Sequence, residues 1–312
     1  MTPSASPVKE FLEDVLCPIC QVDDCDVIYP SRRMTSMPRS NEFRPSGDTP
    51  LEDPLVRCRR CTMQYVHPRF SSEVVLDGYT TSVDETFASQ VAGRELTFKR
   101  CLSVIQRVWR KAPGRLLDIG TANGSFLKVA KDVGWQVAGC EPNQWLRRWC
   151  EEHYGIALTR GTLFDAAYPS GAFDVVTLWD VLEHVPDPVA VLRECDRILA
   201  PGGLLAINYP DIGSWIARVM GQRWVFLISV HNYYFTRKTI RGILELIEYT
   251  PVLYKPHIQT LELEYIFFRA EPVLKGLARG ARVFAKRIGL GSAQVPYWVG
   301  QTLVVAKRSG QE

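Results

Sequence analysis

The chain has 312 residues and a mass of 35.3 kDa, of which 46% are hydrophobic and 23% charged. This composition predicts one large folded domain with an appendage, or two small domains, and excludes a disordered chain, a collagen and a secreted disulfide scaffold. The formal net charge of +3 and the pI of about 8.3 lie below the strongly basic values of dedicated nucleic-acid binders.

The sequence of residues 1–10 predicts a disordered N-terminal segment. Residues 1–16 carry prolines and charges where a signal peptide would have an apolar core. The sequence has no apolar run near the roughly 18 residues of a membrane helix. We therefore expect a cytoplasmic protein.

Four of the nine cysteines form two CxxC pairs: Cys17, Cys20, Cys58 and Cys61. A gap of two residues lets both thiolates of a pair bind one ion, and two pairs complete the tetrahedral sulfur shell that zinc prefers. We therefore predict a zinc ribbon over residues 11–70, with a structural Zn²⁺ because four protein ligands leave no open position. The 37 residues between the pairs predict a surface excursion. Redox-active or incidental cysteines are the alternative interpretation, and Cys25 and His67 are spare candidate ligands.

Residues 71–110 predict a helical linker, because apolar residues recur there at roughly helical spacing. From residue 111 to 312, short apolar strands alternate with helices, which predicts a parallel sheet covered on both faces. Within this domain, residues 211–298 are aromatic-rich and form a predicted substrate-side region. The predicted strands are 115–120, 135–141, 173–179, 204–208 and 299–307, and the predicted helices are 126–133, 143–154 and 188–200.

The loop at 118–124 reads DIGTANG and lies between a predicted strand and helix. Glycines there let backbone N–H groups approach a ligand closely. A dinucleotide loop needs G-x-G-x-x-G, and Ala122 and Ser125 stand where its second and third glycines would be. Glu141 ends the second strand, where a carboxylate can accept both ribose hydroxyls. The pattern therefore favours an adenosine-like ligand without a pyrophosphate.

These runs resemble the motifs of class I S-adenosylmethionine-dependent methyltransferases, in the same order: 117–124, 141–143, 173–188 and 199–203. The resemblance implies a doubly wound, mostly parallel, seven-stranded Rossmann-like sheet. The N-terminal cysteine pattern resembles the zinc-ribbon prefix of a subgroup that acts in saccharide and natural-product pathways. One departure is Ala122, where the family often has a third glycine.

The resemblance implies cofactor contacts from Asp118, Gly120, Ala122, Gly124, Glu141, Pro142, Thr162, Leu163, Trp179 and Asp180. The loop at 118–124 would cradle the methionine part of the cofactor, and residues 141–142 would hold the ribose and flank the adenine. Residues 162–163 would lie near the adenine amine, and residues 179–180 would line the methionine pocket. Ordinary core packing is the alternative for residues 162–163 and for Trp179.

Methyl transfer to a neutral hydroxyl needs a general base, which is most often histidine. His231 is the favoured base, because its segment resembles the family's substrate-facing loop, and Tyr233 and Tyr79 are its candidate assistants. His184 follows the fourth strand and is the other candidate. Ordering of the loop is the alternative role for His231, and a structural role is the alternative for His184.

A second metal site is a further hypothesis, because some relatives of this class bind a divalent cation through similar carboxylates and histidines. The candidate ligands are Asp180, Glu183, His184 and His231.

Residues 272–288 predict a basic amphipathic helix. Its predicted apolar face comprises Leu274, Leu277, Ala281, Phe284 and Ile288, and its predicted basic face Lys275, Arg279, Arg282 and Lys286. A helix packed on the sheet with a solvated cationic face is one interpretation. The other is contact with a diphosphate-linked substrate or an anionic membrane surface, which would place the protein at the inner face of the membrane.

Three functions follow from these patterns. The first is methylation of a small-molecule acceptor, a hydroxyl of a saccharide, lipid-linked glycan or natural product, with C- or N-methylation of a nucleotide-linked sugar as a variant. The second is a zinc-ribbon-guided RNA methyltransferase, which the acidic residues among the ribbon's arginines disfavour. The third is a non-catalytic, cofactor-binding scaffold.

Overall fold

The computed structural model describes residues 11–33, 44 and 49–310. The predicted disordered start at 1–10 and much of the excursion between the cysteine pairs lie outside the described residues. The strands are β1 (Leu12–Glu13), β2 (Cys25–Tyr29), β3 (Leu55–Cys58), β4 (Gln64–Val66), β5 (Arg69–Phe70), β6 (Arg115–Ile119), β7 (Gln136–Glu141), β8 (Thr159–Arg160), β9 (Phe173–Trp179), β10 (Leu199–Pro210), β11 (Tyr233–Tyr234), β12 (Tyr249–Pro256), β13 (Gln259–Glu262), β14 (Gln294–Tyr297) and β15 (Gln301–Arg308). The helices are α1 (Ser72–Thr81), α2 (Glu85–Ser89), α3 (Val91–Trp109), α4 (Ser125–Asp132), α5 (Gln144–Tyr154), α6 (Leu163–Ala166), α7 (Pro188–Ile198), α8 (Trp215–Met220), α9 (Arg237–Glu245) and α10 (Leu263–Arg287).

The main sheet has seven strands in the order β12-β15-β10-β9-β6-β7-β8. The five strands from β10 to β8 are parallel, and β15 runs antiparallel to both β10 and β12. Leu117 of β6 pairs with Ala138 on one side and Val176 on the other. The prediction of a doubly wound, mostly parallel, seven-stranded sheet is confirmed. The chain reverses its direction of travel at β6, so a crevice opens outside the carboxyl ends of the central strands.

The predicted strands and helices of this domain are confirmed to within a few residues, with one exception. The predicted helix at 188–200 ends at Ile198, and the predicted strand at 204–208 is the twelve-residue β10. Leu199 already pairs with Phe173, and the register then shifts before Leu204 pairs with Val175. The proline–glycine turn is therefore a bulge inside one strand, not a break between two elements.

The N-terminal segment forms a four-stranded sheet in the order β11-β4-β3-β2. Its edge strand β11 comes from the predicted substrate-side region, with Tyr233 opposite Tyr65. Buried ribbon residues such as Cys58 and Tyr65 belong to the same apolar cluster as Leu117 and Val176 of the main sheet. The predicted end of the ribbon at residue 70 therefore does not separate two independent hydrophobic cores.

Residues 71–110 form the three helices α1, α2 and α3. The α1 helix is tied to the start of α5, because the Asn143 side chain donates to Tyr79 O at 2.7 Å and to Ser82 O at 2.9 Å.

Within the described ranges, every helix is too short or too polar to cross a membrane.

The α10 helix folds back on itself. A straight helix of its 25 residues would be about 37 Å long. Yet Glu262 and Gln294, on either side of it, are paired in the β13–β14 ladder. The two halves of α10 lie side by side, with Lys286 Nζ 2.7 Å from Glu264 Oε1 and Arg282 Nη1 3.2 Å from Glu271 Oε1. We call this helix, from Leu263 to Arg287, the α10 hairpin.

Candidate active site

The loop between β6 and α4 turns the backbone through three residues with positive φ. Gly120, Ala122 and Gly124 have φ angles of 59°, 50° and 75°. A Cβ at position 124 would lie 2.2 Å from Cys150 Sγ, so the close approach of α5 requires glycine there. Ala122 takes the left-handed conformation at a cost of about 1–2 kcal/mol. Its N–H donates to the Glu141 carboxylate at 2.9 Å, which holds the loop in this shape.

Glu141 ends β7 and is fully buried. One carboxylate oxygen accepts from Asn143 N at 2.8 Å and the other accepts from Ala122 N. The Tyr79 hydroxyl from α1 also hydrogen-bonds this carboxylate. Burial raises the pKa of Glu141 to about 7, although these donors oppose the shift. The carboxylate stands at the strand end where a ribose would be held.

Asp118 lies buried beneath the same loop. Its Oδ1 accepts from Thr177 Oγ1 of β9 at 2.6 Å, and burial raises its pKa to about 7. The side chain therefore joins the ends of β6 and β9 and supports the loop from below. Pro142 is half-buried at the start of α5, and its carbonyl accepts from Arg147 Nη1 at 2.6 Å.

Thr162 and Leu163 have clear structural roles at the start of α6. The Thr162 side chain and backbone N–H both donate to Asp165, at 2.7 and 2.8 Å, so they form the helix cap. Leu163 is buried in the main apolar cluster. Leu163 therefore packs in the core, as the alternative interpretation has it. If Thr162 contacted an adenine, it would have to do so with the same groups that cap the helix.

Several buried polar atoms around the carboxyl ends of β6, β9 and β10 have no hydrogen-bond partner among the described residues. They are Asn123 Nδ2, Trp179 Nε1 and Asn208 Oδ1. The Trp179 ring also packs edge-on against Phe126, with centroids 4.8 Å apart. Burying such groups without a partner costs about 1–3 kcal/mol each. Their positions at one edge of the sheet fit a site for a polar ligand.

Asp180 follows β9 in the left-handed conformation, with φ of 52°. Its Oδ1 accepts from Asn208 Nδ2 at 2.6 Å and from Gln301 Nε2 at 2.7 Å. Burial raises the pKa of Asp180 to about 6, and the Arg94 guanidinium opposes that shift. Arg94, in α3, stacks over Phe87 at 3.5 Å. Sequence reasoning missed Asn208, Gln301 and Arg94, because only strand register and helix docking bring them to Asp180.

Glu183, His184 and His231 form a cluster whose ligand atoms all lie within 4.8 Å of one another. Each histidine Nδ1 is 2.9 Å from a carbonyl oxygen, that of Val230 for His184 and that of Phe226 for His231. Because a carbonyl can only accept, each Nδ1 carries the proton and each Nε2 keeps a lone pair.

The same cluster is largely withdrawn from solvent. His231 is 4% exposed, and within the described part of the chain neither carboxylate oxygen of Glu183 has a hydrogen-bond partner. Burial lowers the pKa of His184 to about 4 and that of His231 well below its usual range. Both rings are therefore neutral near pH 7. Asp180, the fourth predicted ligand, instead accepts from Asn208 and Gln301 and does not join the cluster.

The two tyrosines predicted to assist His231 lie elsewhere. Tyr233 donates to Pro186 O at 2.7 Å and accepts from Arg69 at 2.9 Å, because alternation along β11 turns it away from His231. The ring that faces His231 is that of Tyr234, at 6.0 Å. Tyr79 contacts Glu141. Both tyrosine hydroxyls are therefore engaged away from His231 in this arrangement, and their role as its assistants stays a prediction.

The four cysteines of the two CxxC pairs meet in one group, with all sulfur atoms within 4.8 Å of one another. The Sγ atoms of Cys17 and Cys61 are 3.4 Å apart. Four sulfurs bound to one zinc at about 2.3 Å would be about 3.8 Å apart, so the group fits such an ion. Neither spare candidate joins it among the described residues, and the His67 Nδ1 instead accepts from Val15 N.

A family model for the methyltransferase domain matches residues 94–253, just over half of the chain. Among curated proteins, the chain is 27% identical over 169 residues to the ubiquinone biosynthesis O-methyltransferase of Thiobacillus denitrificans, an alignment that covers 48% of this chain and 72% of that protein. It is 30% identical over 146 residues to the protein of the same name from Ralstonia nicotianae, covering 42% of this chain and 60% of that one. The chain thus spans less than two thirds of the second relative's length.

Among solved structures, a SAM-dependent methyltransferase from Archaeoglobus fulgidus aligns with 72% of this chain and 100% of its own, at 19% identity and a TM-score of 0.50. At this identity the likeness concerns the fold alone. The range of the family model, residues 94–253, includes the glycine loop, Glu141 and the end of β9.

Proposed function

The chain belongs to the S-adenosylmethionine-dependent methyltransferase family whose domain model it matches, and on that premise we propose that it methylates a hydroxyl of a small molecule. The observation that supports a hydroxyl as the methyl acceptor is the pair of neutral imidazoles beside Glu183. These imidazoles can receive the hydroxyl proton or direct its transfer. The names of the relatives, O-methyltransferases of ubiquinone biosynthesis, agree with oxygen as the acceptor. A saccharide, lipid-linked glycan or other natural product is the proposed acceptor class.

The buried polar groups at the carboxyl ends of the central strands form the proposed cofactor site. Glu141 would accept the ribose hydroxyls, and Pro142 would flank the adenine. The loop from Gly120 to Gly124, supported by Asp118, would approach the methionine part with its backbone N–H groups. The unpartnered Trp179 Nε1 and Asp180 would line the same pocket. The bound sulfonium supplies an activated methyl group, so the protein's task is to align the acceptor and to exclude water.

His231 Nε2 is the proposed proton acceptor. As the acceptor oxygen forms its bond to the methyl carbon, the carbon–sulfur bond breaks and the hydroxyl proton moves to the imidazole. The Phe226 carbonyl holds the opposite nitrogen at 2.9 Å, which fixes the ring's orientation. His184 contacts the same ring, with centroids 4.7 Å apart.

The same three side chains also fit a divalent cation. The Glu183 carboxylate is buried without a partner among the described residues, and both Nε2 atoms are held ready by carbonyls on the opposite nitrogen, as in metal-bound histidines. A cation there would lower the pKa of an acceptor hydroxyl and so reduce the need for a strong base. The dependence of turnover on added Mg²⁺ or Mn²⁺ decides whether the cluster holds a cation.

We further propose that the four-cysteine group holds a structural zinc, as in the zinc-ribbon prefix of saccharide and natural-product methyltransferases. RNA is disfavoured as a substrate because two arginines of the ribbon pair with acids. Arg33 Nε lies 2.8 Å from Asp53 Oδ1, and Arg59 Nη2 lies 2.7 Å from Asp26 Oδ1. Such pairs leave less positive charge to neutralise phosphates.

The affinity for S-adenosylhomocysteine is expected to fall as the pH is lowered. The Glu141 carboxylate must be ionised to accept the ribose hydroxyls, and its pKa is raised to about 7. Protonation below that pKa therefore removes the acceptor, so binding at pH 6 should be about tenfold weaker than at pH 8. Isothermal calorimetry at several pH values measures this dependence.

Two variants control that measurement. Glu141→Gln should weaken binding by about 1–3 kcal/mol and flatten the pH dependence, whereas the exposed Glu151→Gln on α5 should change neither. Any slope left in Glu141→Gln reports on Asp118, whose pKa also lies near 7. Wild-type affinity in Glu141→Gln would exclude Glu141 as the ribose acceptor.

The acceptor itself is found by product analysis. The protein is incubated with methyl-labelled S-adenosylmethionine and a panel of phenols, glycosides, nucleotide-linked sugars and a structured RNA. Tandem mass spectrometry should locate the label on an oxygen of one small-molecule class, with His231→Ala as the inactive control. Label on carbon or nitrogen of a nucleotide-linked sugar, or on RNA alone, would replace the proposed reaction by one of these alternatives.

A further inference from the structure

We propose that the α10 hairpin docks on the surface of an anionic lipid bilayer. The hairpin extends from the β13–β14 ladder, and its outer side and tip carry a concentration of exposed apolar side chains. Five of the 21 exposed large hydrophobic side chains in the described part of the chain lie in the hairpin: Phe268, Leu274, Leu277, Val283 and Phe284. Two more, Ile288 and Leu290, follow it directly. Such a patch on a protein surface marks an interaction site.

The bend of α10 places the most exposed of these side chains at the free end. The ion pairs of Lys286 with Glu264 and of Arg282 with Glu271 bring the two halves together and put the turn between Glu271 and Arg279. Leu277, within that turn, is 75% exposed, and Phe284, about two helical turns further on, is 63% exposed. Ala278, at the end of the turn, and Ala285, in the second half, are buried. The small side chains thus face the other half, and the large ones face outward.

The base of the hairpin is held firmly. β13 packs on α3 so closely that a Cβ at Gly93 would lie 2.4 Å from Thr260 O. Thr97 and Arg100 of α3 also hydrogen-bond Thr260, at 2.7 and 2.6 Å. The hairpin is therefore presented on a fixed platform, and each half extends about 18 Å from it.

The charge of the α10 hairpin indicates the kind of surface that it would bind. The α10 hairpin contains six Lys and Arg residues and two Glu residues, which leaves an excess of positive charge. The predicted basic face is only partly correct, because Arg282 and Lys286 pair with acids of the other half. Arg279 also lies near an acid, with its Nε 3.9 Å from Glu271 Oε2, but its side chain is 73% exposed. Arg279 and the exposed Arg287 lie beside the apolar side chains. Cations that flank apolar side chains fit the interface of an anionic bilayer, where the two groups meet headgroups and acyl chains.

A second copy of this chain is a poorer partner for the hairpin. In a two-fold contact the same patch faces itself, so the positive charges of the two hairpins would be brought together. An anionic bilayer has the opposite charge. Burial of Leu277 and Phe284 in the headgroup region would then add to the electrostatic attraction instead of opposing it.

Flotation with vesicles tests this proposal. The full chain should float with vesicles of phosphatidylglycerol and phosphatidylcholine, and remain in solution with phosphatidylcholine alone. The bound fraction should fall as salt is raised, because salt screens the charge contribution. Leu277→Glu combined with Phe284→Glu should weaken binding at least about tenfold, and Arg279→Glu should weaken it on the anionic vesicles.

Val219→Glu is the matched control, because Val219 is an apolar residue on α8 with 77% exposure, and this variant should float like the wild type. All variants should bind S-adenosylhomocysteine as the wild type does, which shows that they are folded and keeps this test separate from that of the proposed reaction. Wild-type protein that stays in solution with anionic vesicles overturns the proposal. A wild-type dimer that Leu277→Glu converts to monomer in sedimentation velocity overturns it as well, since the patch would then join two copies.

Discussion

Replacing Cys58 by serine is expected to release the zinc and to destabilise the N-terminal sheet severely. Wild-type protein should contain about one zinc per chain, because four thiolates within 4.8 Å of one another complete one tetrahedral site. Structural zinc sites contribute about 10–16 kcal/mol of binding free energy, which is folding free energy when the site forms only in the folded state. Elemental analysis and thermal unfolding measure the two effects.

The consequences of Cys58→Ser should extend beyond the ribbon. Val66 N donates to Asn232 O at 2.9 Å, and β4 pairs with β11 immediately after His231. Loss of the ribbon should therefore disturb the His231 cluster on the acceptor side. The loop that follows β6 has no strand in common with the ribbon, so S-adenosylhomocysteine binding should persist.

Cys25→Ser provides the matched control. Cys25 lies directly opposite Cys58 in the β2–β3 ladder, but the group of four that could hold an ion does not include it. This variant should keep its zinc and its stability. Zinc-free wild-type protein with the same thermal stability, or full zinc content in Cys58→Ser, would refute the structural zinc.

His231→Ala is expected to lower kcat about 10²–10⁴-fold with the acceptor identified by product analysis, the range for loss of a positioned proton acceptor. Glu183→Gln should cause a loss of the same order, because its carboxylate shares the cluster. The affinity for S-adenosylhomocysteine should be unchanged in both, since Glu141 and the glycine loop lie on other strands. Steady-state kinetics and calorimetry separate these effects.

His153→Ala is the control for the loss of an imidazole. His153 is exposed and stacks on Trp149 within α5, with ring centroids 4.0 Å apart, so turnover should not change.

If turnover depends on added Mg²⁺ or Mn²⁺ and Glu183→Gln shifts that dependence, the cluster holds a cation. If divalent cations have no effect, His231 acts as a base alone. Full turnover in His231→Ala would remove the cluster from the reaction.

The successes and failures of sequence reasoning have different physical origins. The central strands of the main sheet are recognisable because both of their faces are buried, which requires continuous apolar runs. The exposed β8 and the half-exposed β12, at the two edges, have no such run. The CxxC pairs and the glycine loop were recognisable because their chemistry depends on spacing within a few residues. The Leu199–Pro210 strand differs from its prediction because its proline and glycines predict a break, whereas the bulge that accommodates them depends on the pairing of Leu199 with Phe173.

The sequence by itself therefore determined the fold class, the methyltransferase family, the glycine loop with Glu141, and the cysteines that could hold a metal. These features depend on local spacing and on periodic burial, which a chain carries without its partners. Tertiary structure decided which side chains meet from distant segments. It brings His231 to Glu183 and Arg94 to Asp180, it turns Tyr79 toward Glu141, and it folds α10 into a hairpin. The physical reason is that such contacts follow from strand register, helix docking and ion pairs between residues far apart in sequence, none of which has a local pattern.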